Sequence, residues 1–381
     1  MTDGPRSQRS SSSLRRGPSA RRKALYAGHT AGGWLFTAPS IIVIVVFLVA
    51  PILLAIWVSL SDWNGLGSPL KASVGFVGLD NYAAVLTEPG LSRDDFGISI
   101  RNNLYYVVFV VPMQTALSLF LAVQVNKRIL RGRGFFRTAF YFPSITSSVA
   151  IVIVFLFLFS ASGAVNTVLG WLGINGPNWF ADPSGIFHNL FAAIGVSSPP
   201  PILAAEGPLG VTWWQWLAGP SVAMSALIIM AVWTTSGTFM LLFLAALQAI
   251  GSDVQEAALI DGAGPFRTFF SITLPMIKPT VFTVLTLGLI GTWQLFDAIY
   301  LTGGGSPGKT TLTPAYLAYE TSFTGLNWGE GAAISFILFG IIVSLTLLQR
   351  LVLRERQSGG SRSLRRQMRV TTAELNERQE R

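Results

Sequence analysis

Cysteine is absent from all 381 residues. That absence excludes a disulfide framework, a thiolate metal site and a cysteine nucleophile. Histidine is limited to His29 and His188, which lie outside the apolar runs without metal-ligand partners, so no metal site is expected. No nucleophile–base constellation is present, which argues against a membrane-embedded enzyme and leaves no catalytic residue or cofactor to name. Charge is scarce too, 12% of the chain against about 25% in ordinary soluble domains. That deficit is hard to reconcile with a water-facing surface.

What fills the chain instead is apolar, at 51% hydrophobic residues. A membrane-crossing helix needs about 20 apolar residues. Six runs answer, at roughly 34–60, 102–126, 139–161, 221–247, 279–301 and 331–352. None carries Lys or Arg at its middle. The expected fold is an all-α membrane protein with six transmembrane helices.

The basic residues orient the spans, because loops rich in Lys and Arg stay on the cytoplasmic side. Arg6, Arg9, Arg15, Arg16, Arg21, Arg22 and Lys23 precede the first span. Lys127, Arg128, Arg131, Arg133 and Arg137 lie between the second and third, and a further set begins at Arg350. The loop 161–220 has none, and the loop after the fifth span has only Lys309. Both termini are therefore expected in the cytoplasm. The net charge of +9 is read as attraction to anionic membrane lipids rather than to nucleic acid. The basic start mimics a signal peptide. The apolar run behind it is too long for one, so an uncleaved first span is expected.

The chain is divided as a basic cytoplasmic tail, 1–33, a transmembrane domain, 34–354, and a charged cytoplasmic tail, 355–381. The first tail is rich in Ser, Arg and Gly and is expected to be disordered. In the second, Thr371–Arg381 has the composition of a short helix. No internal repeat is found. The long outer stretch contains Pro199-Pro200-Pro201, which favours an extended segment. Trp213, Trp214 and Trp216 follow, and aromatic residues beside a span usually sit at the membrane interface.

One segment is far more specific. Between the fourth and fifth spans runs EAALIDGAGPFRTFFSITLP, Glu256–Pro275. Two alanines let a helix approach a partner closely, and Glu256 offers a carboxylate to an Arg or Lys across such a contact. Gly262 permits the turn between two short helices, and Pro265 suits the first turn of the second. With GTFMLLFLAALQAIGSDVQEAALIDGAG before it and WQLFDAIYLTGGGSP after it, this stretch resembles the coupling loop of ABC importer permeases. FVGLDNY and RGRGFFRTAFYFP strengthen the likeness to the carbohydrate-uptake branch, the group of the maltose and glycerol-3-phosphate importer subunits. The resemblance covers about 34–354 and lapses over 184–219, which reads as an external insertion.

The resemblance implies the type I importer fold with both termini cytoplasmic, in a bacterial or archaeal plasma membrane. It implies that the loop 251–276 docks on a separate ATPase through Glu256, Ala257, Ala258, Asp261, Gly262, Ala263, Ile272, Leu274 and Pro275. The implied partners are a second permease subunit, two copies of the ATPase, an extracytoplasmic solute-binding protein and a small carbohydrate. This chain would hydrolyse no ATP. Gly303–Thr310 does fit the phosphate-loop spacing G-x-x-x-x-G-K-[ST], but it follows a span, contains Pro307 and faces outward, so it is read as turn chemistry.

Transport sites use polar groups inside the bundle near mid-membrane. Trp233, Thr235 and Thr238 before the coupling loop, and Thr292, Trp293, Gln294 and Asp297 after it, supply hydroxyls, an amide and flat rings suited to a polyol. Packing by small polar residues is the competing explanation for each threonine. Two other functions stay open: import of a non-sugar solute by the same architecture, and ion-driven transport with Asp297 as its single obvious relay group.

Overall fold

The computed structural model describes residues 33–127 and 131–352, so the span end at 353–354 and both terminal tails discussed above, save residue 33, lie outside them. Two compact units are distinguished, Met1–Val58 and Ser59–Arg381. Among the described residues the regular elements are all helical, with only isolated β-bridges.

The first unit contributes the apolar helix α1, Gly33–Ser59. Pro51 has no N–H to donate to the preceding turn. Directly before it the helix widens over Val45–Val49, and the Ala50 N–H bonds the Val45 carbonyl five residues back. The helix thus takes a local π turn beside this proline.

The second unit is built around two long helices, α3 (Leu91–Asn126) and α9 (Val222–Gln248). A short helix, α2 (Asp80–Leu86), precedes α3. At 36 residues α3 is about 54 Å long, well beyond a hydrocarbon core of about 30 Å. Hydropathy placed its start near 102, but the helix begins at Leu91 because its polar first turns are paired. Arg93 meets Glu206 at 2.8 Å, and Asp95 receives Lys309 at 2.6 Å. α9 packs along α3 and buries Met224, Leu227, Met240 and Phe243 completely. Ser221 caps its start by accepting the Met224 N–H at 2.9 Å.

The third expected span, 139–161, is not one helix. Residues Arg133–Ile145 (α4) and Ser148–Leu158 (α5) meet at 98°. Pro143 takes an N–H out of the last turn of α4, and Thr146 turns extended (φ −78°, ψ 146°). The Thr146 hydroxyl bonds back to the Phe142 carbonyl at 2.9 Å, a local side-chain bond at the corner. α4 lies close against α9 because Gly237 has no side chain: a Cβ there would stand 2.3 Å from the Phe140 carbonyl oxygen.

The fifth apolar segment, Lys278–Leu301, is also interrupted. α12 (Lys278–Trp293) ends, Gln294–Phe296 is irregular, and α13 (Asp297–Leu301) resumes. After α14 (Pro314–Tyr319), α15 (Trp328–Val352) closes the described fold. Five helices are long and apolar enough to cross a membrane, or six if the bent α4–α5 pair counts as one, among the described residues.

Three short helices, α6 (Ala164–Trp171), α7 (Ile186–Ala193) and α8 (Trp213–Trp216), belong to the stretch between α5 and α9. This stretch packs on the Leu91 end of α3. Trp214 stacks on His188 with centroids 4.4 Å apart, and the Tyr105 hydroxyl donates to the Trp216 carbonyl. The phosphate-loop lookalike sits between helices rather than after a strand. The Lys309 ammonium is held by both Asp95 carboxylate oxygens, at 2.6 and 2.8 Å.

Candidate functional site

Both helix interruptions open onto one cavity of about 560 Å³. The α4–α5 corner supplies Ser144, Thr146 and Ser148, the α12–α13 break supplies Gln294, Phe296 and Asp297, and α9 supplies Thr234, Thr235 and Thr238. Tyr106, Ile151, Val152 and Met230 form apolar wall. Irregular backbone inside a membrane is tolerated where it lines a cavity, and broken helices there are the usual makers of solute sites.

The polar groups hold each other in place across the cavity. Ser148 Oγ donates to Asp297 Oδ2 at 3.2 Å, joining the two interruptions. Ser144 Oγ donates to the Thr234 carbonyl at 2.5 Å and accepts the Thr238 N–H at 3.2 Å, fixing the corner to α9. Thr235 Oγ1 reaches Gln114 Oε1 of α3 at 2.6 Å. Gln294 is exposed into the opening and its side chain has no protein partner there.

Of the residues expected at a solute site, the structure brings together Thr235, Thr238, Gln294 and Asp297. It places three others elsewhere. Trp233 leans on Phe155 at 5.7 Å, Thr292 bonds back to the Gly288 carbonyl at 2.8 Å, and Trp293 is 3% exposed in a core with Val107, Val111 and Leu338. Ser144, Thr146 and Ser148 were not foreseen. Their signal was a cluster of hydroxyls directly after Pro143 in an otherwise apolar run.

The second feature is the segment after α9. Ser252–Ile260 is a helix, α10, and Pro265–Thr268 a second, α11, with Pro265 at its first turn. Between them Gly262 takes φ +68°, its N–H bonds the Leu259 carbonyl, and the Ala263 N–H bonds the Ala258 carbonyl. This is the paired closure of a helix end that calls for glycine. A Cβ at Gly262 would meet nothing within 4 Å, so the demand is on the backbone angle alone.

The named loop residues divide. Glu256, Ala257, Asp261, Gly262 and Pro275 are exposed, Ala263 and Ile272 are intermediate, and Ala258 is buried. Leu274 packs on a core of α9 and α12 with Ile277 and Val284. Beside the exposed set stand Leu259, Ile260, Phe266 and Phe270, each more than 60% exposed. Large apolar side chains grouped in the open mark a surface that a membrane or another protein covers.

A bundle of long apolar helices, two of them interrupted at a polar cavity, defines a membrane transport protein. Residues 114–357 match the family model described as the binding-protein-dependent transport system inner membrane component, and the chain belongs to that family. Among its relatives, the lactose transport system permease protein LacF of Rhizobium radiobacter is 32% identical over 339 residues, 88% of this chain and 98% of LacF. The trehalose/maltose permease MalF of Thermococcus litoralis is 33% identical, covering 83% of this chain and 91% of MalF. The sn-glycerol-3-phosphate permease UgpA of Escherichia coli O157:H7 is 30% identical, with 83% and 92% covered. A crystal structure of a bacterial ABC transporter importing the acidic polysaccharide alginate matches with a TM-score of 0.66 at 19% identity. It covers 88% of this chain and 100% of the other, a likeness of fold.

Proposed function

We propose that this chain is the membrane-spanning permease subunit of an ATP-driven, binding-protein-dependent importer for a sugar or sugar derivative. The pocket between the two interrupted helices carries the proposal. It combines hydroxyls, a free amide and a carboxylate with apolar wall, the mixture that a polyol with C–H faces requires. The relatives named for lactose, trehalose/maltose and glycerol-3-phosphate transport support a carbohydrate solute.

In this reading the α4–α5 pair is one bent span, making six, and both termini and the loop 251–276 face the cytoplasm of a bacterium or archaeon. The placement of the basic residues supports that orientation. The permease domain is 34–354, flanked by basic and charged tails, with 184–219 an external insertion. A second permease subunit completes the path, and an extracytoplasmic binding protein delivers the solute. Two ATPase subunits seat the coupling loop, and their closure turns the spans from inward- to outward-facing. Glu256 and the exposed patch Leu259, Ile260 and Phe266 form the docking face.

The test is purification of the chain with its co-encoded partners, followed by uptake in reconstituted vesicles. Lactose, maltose, trehalose, arabino-oligosaccharides and glycerol-3-phosphate are screened with the co-encoded binding protein. ATP-dependent accumulation of one of them is expected. Retention of none, or uptake that persists without ATP, overturns the reading.

A further inference from the structure

Phe296 forms part of the pocket wall and also begins a run of aromatic rings leading away from it. It stacks on Tyr300 at 5.7 Å and Tyr316 at 6.1 Å, and meets Tyr319 edge-on at 5.2 Å. Tyr319 stacks on Phe323 at 4.9 Å, Phe323 meets Trp328 at 4.6 Å, and Trp328 meets Trp63 at 5.3 Å. The rings therefore form an unbroken ladder from the pocket to the start of α15.

This ladder differs from the aromatic packing inside the fold. Phe155 and Phe159, also stacked, are 6% and 7% exposed, whereas Tyr300 and Phe323 are 51% and 56% exposed. Three of the rungs carry phenol hydroxyls, and Glu320 stands beside them. Burial, and after it the Glu320 carboxylate, push the Tyr316 phenol up, so its hydroxyl is an intact donor at neutral pH. Lys309, the cation near this edge, is held by Asp95. The surface thus joins aromatic rings to phenol hydroxyls and the Glu320 carboxylate.

We propose that the ladder is a carbohydrate-binding track that receives the sugar units following the one in the pocket, so that oligosaccharides enter as extended chains. The proposal rests on the carbohydrate reading above. Aromatic rings suit the apolar C–H faces of pyranoses, and the rings follow one another without a gap from Phe296 through Tyr319, Phe323 and Trp328 to Trp63. Continuity with the pocket through Phe296 sets the direction of travel. A purely apolar partner helix would leave the Glu320 carboxylate without a donor, which disfavours burial of this face against such a helix.

The experiment uses the complete complex, with its co-encoded permease, ATPase and binding protein, in vesicles. The probes are maltose against maltotetraose and arabinobiose against arabinotetraose. Tyr300→Ala and Phe323→Ala are compared with wild type and with Tyr300→Phe. Both alanine variants should raise KM for the tetrasaccharide about three- to tenfold, the scale of one lost aromatic stack. KM for the disaccharide should stay within about twofold of wild type, and Tyr300→Phe should restore the tetrasaccharide value. Equal changes for both lengths, or none, overturn the track. Loss of the second permease from the purified alanine variants overturns it differently, by showing a subunit interface. A wild-type complex that moves none of the four sugars overturns the track, and a receptor that also retains none of the solutes screened above removes the carbohydrate reading with it.

Discussion

Thr235 of the pocket wall and Gln114 of α3 are joined by a 2.6 Å contact between Oγ1 and Oε1, made where Gln114 is 1% exposed. Gln114 also fills the space left by Gly288 of α12, where a Cβ would come within 2.3 Å of Nε2. A single amide thus sits among three helices. Thr235→Val should destabilise the complex by about 1–3 kcal/mol, because it leaves the buried Gln114 Oε1 unpaired, and Gln114→Leu should cost less, because the Thr235 hydroxyl still has the Ala231 carbonyl at 2.7 Å. The double variant should cost less than the two summed. Denaturation of the purified complex checks this, and additivity within about 0.5 kcal/mol would show that the pair is not coupled.

Gln294→Ala and Trp293→Ala separate solute contact from packing. Gln294 opens into the cavity, so its loss should reduce uptake several-fold, the scale of about 0.5–1.5 kcal/mol for one neutral hydrogen bond, with assembly and basal ATP hydrolysis intact. Trp293 lies in the core, and its removal should cost about 3–5 kcal/mol of stability. Uptake kinetics and melting temperature of both variants decide. Unchanged uptake in Gln294→Ala removes it from the solute path.

The coupling loop is tested by Glu256→Lys and Gly262→Leu. The first reverses an exposed charge. The second forces a side chain into φ +68° without a clash, at a cost of about 1–2 kcal/mol confined to the turn. Insertion and receptor binding of sugar should survive in both. Uptake should fall while the ATPase either fails to co-purify or loses stimulation by the receptor. Normal stimulation and normal uptake in both would falsify the coupling role.

The orientation is open to chemical labelling, because the chain has no native thiol. Cysteine at the exposed position Ser198 should react with an impermeant maleimide on intact cells. Cysteine at Ser252, equally exposed, should react only after permeabilisation. The reverse pattern overturns a cytoplasmic placement of the loop.

Helix positions were readable from hydropathy because apolar length is what a bilayer demands of a span. The two short helices within 252–268 were readable because Gly262 permits the turn that ends one and Pro265 suits the first turn of the next. The two interruptions were not. The hydroxyl residues of Pro143–Ser148 and the lone amide of Gln294 are short interruptions between long apolar flanks, so a composition window sees one run where the backbone turns by 98° or loses its helix. Pocket membership failed for the same kind of reason. Trp293 and Gln294 are neighbours in sequence, but the end of α12 falls between them and sends one side chain to the core and the other to the cavity.

The interruption at Gln294–Phe296 has a consequence for how such a site changes over time. Where α12 stops, carbonyls that would have bonded the next helical turn are left to find other donors, and Gly291 brings main chain directly into the cavity lining. Main-chain acceptors persist whatever side chain occupies the position. Substitution of Thr235, Thr238 or Gln294 should therefore alter which solute fits, while the main chain that lines the cavity at Gly291 stays the same.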